Sequence, residues 1–289
     1  MKSYWFLAQA GGTSHPLPQD PLVLAQRAEE LSTTGKAEMP EWEVAVRCGF
    51  AKDRSEYLDI LHRTAMYLAG IRLEKELKAD QPELIQMVKM LDQIDSVINL
   101  VSESAVEWYR ILDPAFSRKS VLPQGRKLRD LMREGSDDAL LEILDELDRL
   151  SLCRSALAKR VTAKAAEVLP NCSALCGGLV AARLAAEAGG IQELSVMPGS
   201  TIQVLGARNA LFSHLSTGSP PPKHGLVFQY SGVHGSRKER RGRVARVLAA
   251  KLAIAARIDY YRGEPDPDFI AKAREAIRNA GRANDLDRR

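Results

Sequence analysis

Aromatic side chains make up only 6% of the 289 residues, too few to line a large aromatic ligand cavity. Cysteine is also scarce. Four in a chain of this length do not build a disulfide framework. Cys48 and Cys153 stand alone, while Cys172 and Cys176 form a C-x-x-x-C pair. A zinc site needs two more close Cys or His ligands, and none follows at a suitable spacing, so the pair reads as two small buried apolar side chains. No window reaches the roughly 18 uninterrupted apolar residues of a membrane span. The apolar run in MKSYWFLAQAGG is too short for a secretory signal, so a cytoplasmic protein without a membrane partner is expected.

Catalytic signatures are missing as well. His15, His62, His214, His224 and His234 are the histidines, and the last three recur every ten residues, which is no metal-ligand spacing within one helix. There is no H-E-x-x-H, P-loop or nucleophile elbow, and no G-x-G-x-x-G turn to hold S-adenosylmethionine or another nucleotide cofactor. His224 beside Lys223 would need a carboxylate cluster for Mg²⁺ to act as a nuclease base, and none accompanies it. The expectation is a protein with no catalytic residue, no metal and no cofactor.

What the chain does have is an uneven charge. Residues 201–289 carry 17 Lys/Arg against 8 Asp/Glu, a balance of +9, whereas residues 1–200 carry 24 against 29, a balance of −5. A basic terminal third on an acidic remainder points to a polyanion partner at that end, or else to a solvated basic surface.

The chain also has helical periodicity. The fold expected is mainly α, with a small N-terminal α/β module, a long antiparallel coiled-coil hairpin and a compact all-α C-terminal domain. The module, residues 1–55, has strand candidates at Ser3–Ala8 and Glu41–Cys48, a Gly/Pro-rich turn region at Gly11–Pro21, and a helix at Pro21–Leu31. Residues 56–170 are read as a helical linker and hairpin. Within Glu83–Leu112 the positions Met87, Leu91, Ile94, Ile98, Val101, Ala105, Trp108 and Leu112 alternate spacings of four and three, a heptad seam. Asp113-Pro114 ends that helix. A second helical region begins near Lys127, breaks at Gly135-Ser136, resumes with Ser136 or Asp137 as cap, carries Leu140, Leu144, Leu147 and Leu150 inward, and closes at Pro170-Asn171. A projecting hairpin or a short helical bundle would both satisfy this pattern. Residues 171–264 form short compact helices, with Val244–Asp259 strongly helical, and residues 265–289 are expected to be a polar, partly disordered tail.

The block Gly189–Asp259 carries the chemistry. Gly206-Ala207-Arg208-Asn209 would open a short helix whose backbone N–H groups and Arg208 and Asn209 side chains face one phosphate. Pro220-Pro221-Pro222 is a stiff approach to Lys223-His224-Gly225, which fixes a cation and a ring beside a glycine that lets backbone come close. Residues Arg237–Arg243 then supply five further cations, and Arg243, Arg246 and Ala250 share one helix side, so two guanidinium forks can track one strand of phosphates. Without a recognition-motif fold, KH loop or cysteine finger, shape and phosphate recognition is the mode implied.

Three segments of this block, Gly206–Phe212, Pro221–Gln229 and Arg241–Asp259, stand in the order G-A-x-x-A-L-F, P-P-K-H-G-x-x-F-Q and R-G-x-x-A-R-x-L-A-A-K-x-A-I-A-A-R-x-D. They closely resemble the Nop domain, and the likeness extends over about Leu84–Tyr260, including D-Q-I-D-S-V-I-N-L-V-S-E and Trp108-Tyr109. The resemblance is to the archaeal scaffold proteins of box C/D small ribonucleoproteins. It implies that the N-terminal module binds the methyltransferase fibrillarin. It also implies that the coiled coil pairs two copies, through Leu91, Ile94, Ile98, Val101, Leu144 and Leu147. The Nop domain would clasp kink-turn guide RNA already held by a ribosomal-type kink-turn protein. The RNA contacts implied are Arg208, Asn209, Lys223, His224, Gly225, Arg241, Arg243 and Arg246. Two departures stand out: Arg208-Asn209 replaces the family's Glu-Lys, and Arg243 replaces a lysine. Any methyl transfer would then be a partner's reaction, with this chain supplying orientation. The other reading of the residues is a coiled-coil adaptor or DNA-binding regulator whose basic end meets duplex DNA.

Overall fold

The computed structural model describes residues 4–10, 13–34, 42–77, 80–118 and 125–282, and the chain folds as two compact units, Met1–Ala79 and Asp80–Arg289. The fold is mainly α, with one small sheet among the described residues.

The first unit holds β1 (Leu7–Ala10), β2 (Thr13–Pro16), α1 (Pro21–Thr34), α2 (Trp42–Arg47) and α3 (Arg54–Leu77). The strands pair antiparallel, with Leu7 opposite Pro16 and Ala8 opposite His15. Their core is aromatic: Phe6 stacks on Phe50 with ring centroids 5.1 Å apart, and the Trp5 indole N–H donates to the Tyr57 hydroxyl at 3.4 Å. The sequence reading needs three corrections here. The first strand lies later than Ser3–Ala8, because Tyr4–Phe6 form a turn that plants three rings in the core. The second strand is Thr13–Pro16, whereas residues 42–47 are helical. There the alternation of Trp42, Val44 and Val46 misleads, since it is Ala45 that is buried. The unit also does not end at residue 55. Tyr57 and Ile60 of α3 are buried with Phe6 and Leu24, so the module needs that helix.

In the second unit, α4 (Asp80–Leu112) runs antiparallel to α6 (Asp138–Val168), with α5 (Arg126–Arg133) laid on α6. At 1.5 Å per residue, α4 is about 50 Å long. Ion pairs fix the register: Lys164 meets Asp80 and Glu83, and Arg154 meets Asp95 at 2.7 Å. Asp137 is the N-cap of α6, its carboxylate accepting from the Leu140 N–H at 2.9 Å. The far end of the hairpin has its own core of Ala105, Tyr109, Phe116, Met132, Leu140, Leu144 and Leu147. Beside it the buried Arg129 and the half-buried Arg133 share Asp148, at 2.9 and 2.8 Å.

The inward seam of α4 is Leu84, Val88, Leu91, Ala105 and Tyr109, joined by Ile98 and Val101, so the expected seam shifts by one residue at Met87 and Trp108. Leu91, Leu144 and Leu147 are fully buried within the hairpin itself. They are therefore not available to a second copy, which corrects their assignment to dimerisation. The apolar side chains that α4 leaves exposed are others: Met90, Val97, Leu100, Trp108, Ile111 and Leu112, with Leu100 at 65% and Ile111 at 79%.

The hairpin base merges into eight shorter α-helices. Helices α7 (Pro170–Cys176), α8 (Gly178–Ala188), α9 (Ile191–Val196) and α10 (Gly199–Val204) precede α11 (Arg208–Thr217) and α12 (Ser231–His234), and then come α13 (Arg241–Tyr261) and α14 (Pro267–Gly281). A single core holds Leu84, Val88, Val161 and Ala165 of the hairpin together with Leu175, Ala181, Leu248 and Ala255, so no compact unit begins at residue 171. Nor is 265–289 a tail throughout. Ala273, Ile277 and Ala280 of α14 enter the same core, and Asp266 caps that helix by accepting from the Phe269 N–H at 2.9 Å. The polar composition hides an apolar stripe of spacings four and three; residues 283–289 lie outside the described residues.

A buried knot locks α7 to α13. The Asp259 carboxylate accepts from the Asn171 backbone and side-chain N–H groups at 2.9 and 2.7 Å and from the Cys172 N–H at 2.9 Å. These donors would otherwise be orphans at a buried helix start.

Candidate nucleic-acid interface

The exposed rim of the second unit is built from α10 to α13. Gly206 turns the chain out of α10 with φ 82°, and a side chain there would strike Leu226 at 2.6 Å. Helix α11 opens at Arg208, two residues later than expected, and buries none of its residues. It stands out with Phe212 73% and Leu215 76% exposed. Its C-terminal end is tied back through Ser213 Oγ to Ser219 Oγ at 3.1 Å.

The proline-led loop that follows is strapped to the end of α10. Gln203 Nε2 donates to the Lys223 carbonyl at 2.7 Å, the Gly225 N–H to the Gln203 carbonyl at 2.8 Å, and the Leu226 N–H to the Leu205 carbonyl at 2.8 Å. The approach is so close that a Cβ on Gly225 would sit 2.0 Å from the Leu205 oxygen. Straight before it, the His224 ring stacks on Phe228 with centroids 4.4 Å apart and planes at 14°. The Arg241 guanidinium lies 5.5 Å from the Phe228 ring centre and donates through Nε to the Ser236 carbonyl at 3.1 Å.

Burial holds His224 below its usual range, and the Arg241 and Lys223 charges add to this against a backbone hydrogen bond that works the other way. At neutral pH the ring is therefore uncharged, one nitrogen donating and the other accepting. It offers a polar edge to a base or a sugar, while the charge comes from its neighbours.

Those neighbours converge. Lys223, Arg243 and Arg246 line an open groove of about 350 Å³ with Gln203, Pro222 and Glu239. Three cations, two of them planar forks, suit a run of phosphodiesters. The structure thus brings Lys223, Arg243 and Arg246 into one groove, and His224, Arg241 and, through its backbone, Gly225 into the adjoining stack. Arg208 and Asn209 do not line that groove. Arg208 is ion-paired with Glu187 of α8 at 2.9 Å. Gln203, Phe228 and Glu239 escaped the sequence reading, although Phe228 stands inside the P-P-K-H-G-L-V-F-Q segment.

A second junction ties this rim to the hairpin. Arg183 of α8 donates to Asp92 Oδ1 at 2.7 Å and to Gln229 Oε1 at 2.8 Å, and it also meets Asp95, which Arg154 shares. Both acids of the D-Q-I-D run are therefore used to join α4 to the segment ending in Gln229. Burial pushes the Cys176 thiol up to about 12 and the Cys172 thiol well above its ordinary value, so both stay protonated in the core. Among the described residues, no group of three or more His, Cys, Asp or Glu is placed to hold a metal, and no helix is long and apolar enough to cross a membrane.

Such a structure defines a class: a helical protein in which a long hairpin and a cationic, ring-stiffened rim share one core. Residues 120–282 match the Nop family model, described as "snoRNA binding domain, fibrillarin", and this match spans more than half of the chain. The chain belongs to the Nop family. It is 30% identical over 257 residues to an uncharacterized NOP5 family protein of Methanocaldococcus jannaschii, covering 76% of this chain and 62% of that one. It is 32% identical to nucleolar protein 58 of Emericella nidulans, over 70% of this chain and 40% of that one. With human nucleolar protein 56 the identity is 31%, over 67% of this chain and 39% of that one. The chain thus spans less than two thirds of these relatives. Among solved structures, the fibrillarin/Nop5p complex aligns with a TM-score of 0.50 and 26% identity, over 96% of this chain and 98% of the matched one.

Proposed function

We propose that the chain is the scaffold subunit of a box C/D-type guide ribonucleoprotein, working in the cytoplasm and carrying out no chemistry itself. In this role it grips kink-turn guide RNA, together with the kink-turn protein, along the rim of its second unit, and it holds fibrillarin on its first unit for RNA 2'-O-methylation. The observation that carries this reading is the groove of Lys223, Arg243 and Arg246 beside the His224–Phe228–Arg241 stack: a fixed cationic track next to an uncharged polar ring. RNA bent by another protein presents closely spaced phosphates and unstacked bases to such a surface. The bare helix α11, with Phe212 and Leu215 outward, gives the kink-turn protein or an unstacked base an apolar face. In the first unit, Leu58, Met66, Tyr67 and Leu73 of α3 are exposed, which favours a partner there. Self-pairing falls to Met90, Val97, Leu100, Trp108 and Ile111.

A gel-shift series tests the reading. Binding to kink-turn RNA should be weak alone and tight once the kink-turn protein is present, and Lys223→Ala or Arg243→Ala should weaken it. Equal affinity for random duplex DNA, indifferent to the kink-turn protein, would make the chain a general polyanion binder and refute the proposal.

A further inference from the structure

On the other side of the Ser236–Arg240 turn lies a second cavity of about 340 Å³, between α12 and α14. Its floor is Ile277 and the Tyr230 ring. Arg274, Arg278, Gly232, Ser236 and Gly281 complete its wall, and no carboxylate among the described residues lines it. The groove described above, by contrast, includes Glu239.

The two guanidiniums are not equivalent. Arg274 is fixed in place, since its Nε and Nη2 both donate to the Ala174 carbonyl at 3.1 and 2.7 Å. Arg278 is exposed and has no ion-pair partner among the described residues. A third cation closes the approach: Arg240 Nη1 reaches the Gly281 carbonyl at 3.4 Å. Its neighbour Arg241 lies over Phe228 and donates to the Ser236 carbonyl. The segment Ser236–Arg243 therefore borders both cavities, Ser236 lining this one and Glu239, Gly242 and Arg243 the groove.

We infer that the cavity between α12 and α14 is a second phosphate site, which takes a backbone phosphate of the same RNA farther along the strand. This rests on the RNA-scaffold reading above. One preorganised guanidinium, one unpaired guanidinium and the Tyr230 hydroxyl, with no acid among the described lining residues, fit a phosphodiester oxygen pair. The wide mouth suits a polymer that passes over it. An enclosed small molecule would need deeper walls.

The test uses the full chain with kink-turn RNA already bound by its kink-turn protein. Affinity is measured over a series of salt concentrations for the wild type, Arg278→Ala, Arg278→Lys, Arg274→Ala/Arg278→Ala and, as a groove control, Arg243→Ala. Arg278→Ala should weaken binding several-fold and lower the salt slope by about one unit, Arg278→Lys should keep the slope, and the double variant should lose roughly tenfold or more. Arg278 is the decisive position, because its loss removes no hydrogen bond or ion pair among the described residues; Arg274→Ala gives up two hydrogen bonds and needs a matching thermal melt. Wild-type binding with unchanged affinity and slope in Arg278→Ala and the double variant overturns this inference alone. Failure of the wild type to bind overturns the parent reading and this site with it. Millimolar inorganic phosphate that raises the melting temperature of the wild type but not of Arg278→Ala, with RNA affinity equal in both, assigns the cavity to a free anion and overturns its assignment to RNA.

Discussion

Replacing Gly225 by alanine should separate the strap from the rest of the fold. A Cβ there would lie 2.0 Å from the Leu205 oxygen and 2.7 Å from the Val204 carbonyl carbon, both backbone atoms that cannot swing away. Restoring ordinary contact requires a shift of roughly 1 Å or more, and two hydrogen bonds stand in its way, from the Gly225 N–H to Gln203 and from the Leu226 N–H to Leu205. Losing both costs about 1 kcal/mol each, and overpacking adds about 1–3 kcal/mol, so a total of about 3–5 kcal/mol is expected. For a unit of this size that corresponds to roughly a 10 °C fall in Tm, measured by thermal melting. Because His224 precedes the clash and Phe228 follows it, the stacked pair should separate and RNA affinity should fall more than stability alone explains. A Gly225→Ala chain that keeps both the wild-type Tm and the wild-type affinity would refute the argument that this close approach shapes the rim.

Other perturbations act elsewhere. Asp259→Ala strands three N–H donors in the buried knot and should cost about 3–5 kcal/mol by urea denaturation; a loss below 1 kcal/mol would mean the knot is not a principal tie. Arg183→Ala should cost about 1–3 kcal/mol and raise hydrogen exchange at Gln229 and its neighbours while leaving the far end of the hairpin unchanged, and uniform exchange would contradict the junction's role. Burial alone would raise Asp148, but the hydrogen bonds from Arg133 and Arg129 outweigh it and hold its carboxyl below its ordinary value. With the folded value depressed, the stabilisation is complete above about pH 4 and is lost as pH falls through the lowered folded value. Thermal melts over this acid range should therefore decline more steeply for the wild type than for Asp148→Asn, and parallel curves would disprove the linkage.

The long elements were legible in the sequence because they repeat a period often enough to be read. Glu83–Leu112 announces α4, Val244–Asp259 announces α13, and Pro21 marks the start of α1. Short pieces were not. Six residues from Trp42 to Arg47 cannot distinguish alternation from a helix turn, and the pairing partner of β1 was hidden in a Gly/Pro-rich stretch whose Gly11-Gly12 is itself a hairpin signal. Domain limits failed for a different reason. Composition changes at residues 171 and 265, but burial does not, since Val161, Ala181, Leu248 and Ile277 share a core that only the folded chain displays. The same holds for the site. Its cations could be named from spacing and family likeness, yet which of them meet depends on tertiary ties such as Gln203 to Lys223 and Arg208 to Glu187. The hairpin seam shows a related limit: periodicity identifies apolar positions without saying whether they face the chain's own α6 or another molecule.

The most direct test of the account is to map cross-links in the three-part complex of this chain, kink-turn RNA and the kink-turn protein. Photo-cross-linking followed by peptide sequencing should place RNA on the segments around Pro222–His224 and Arg241–Arg246, with the hairpin tip near Ile111 unlabelled. Cross-links confined to the hairpin or the first unit, with the strapped loop and the start of α13 clean, would contradict the claim that this rim grips the RNA.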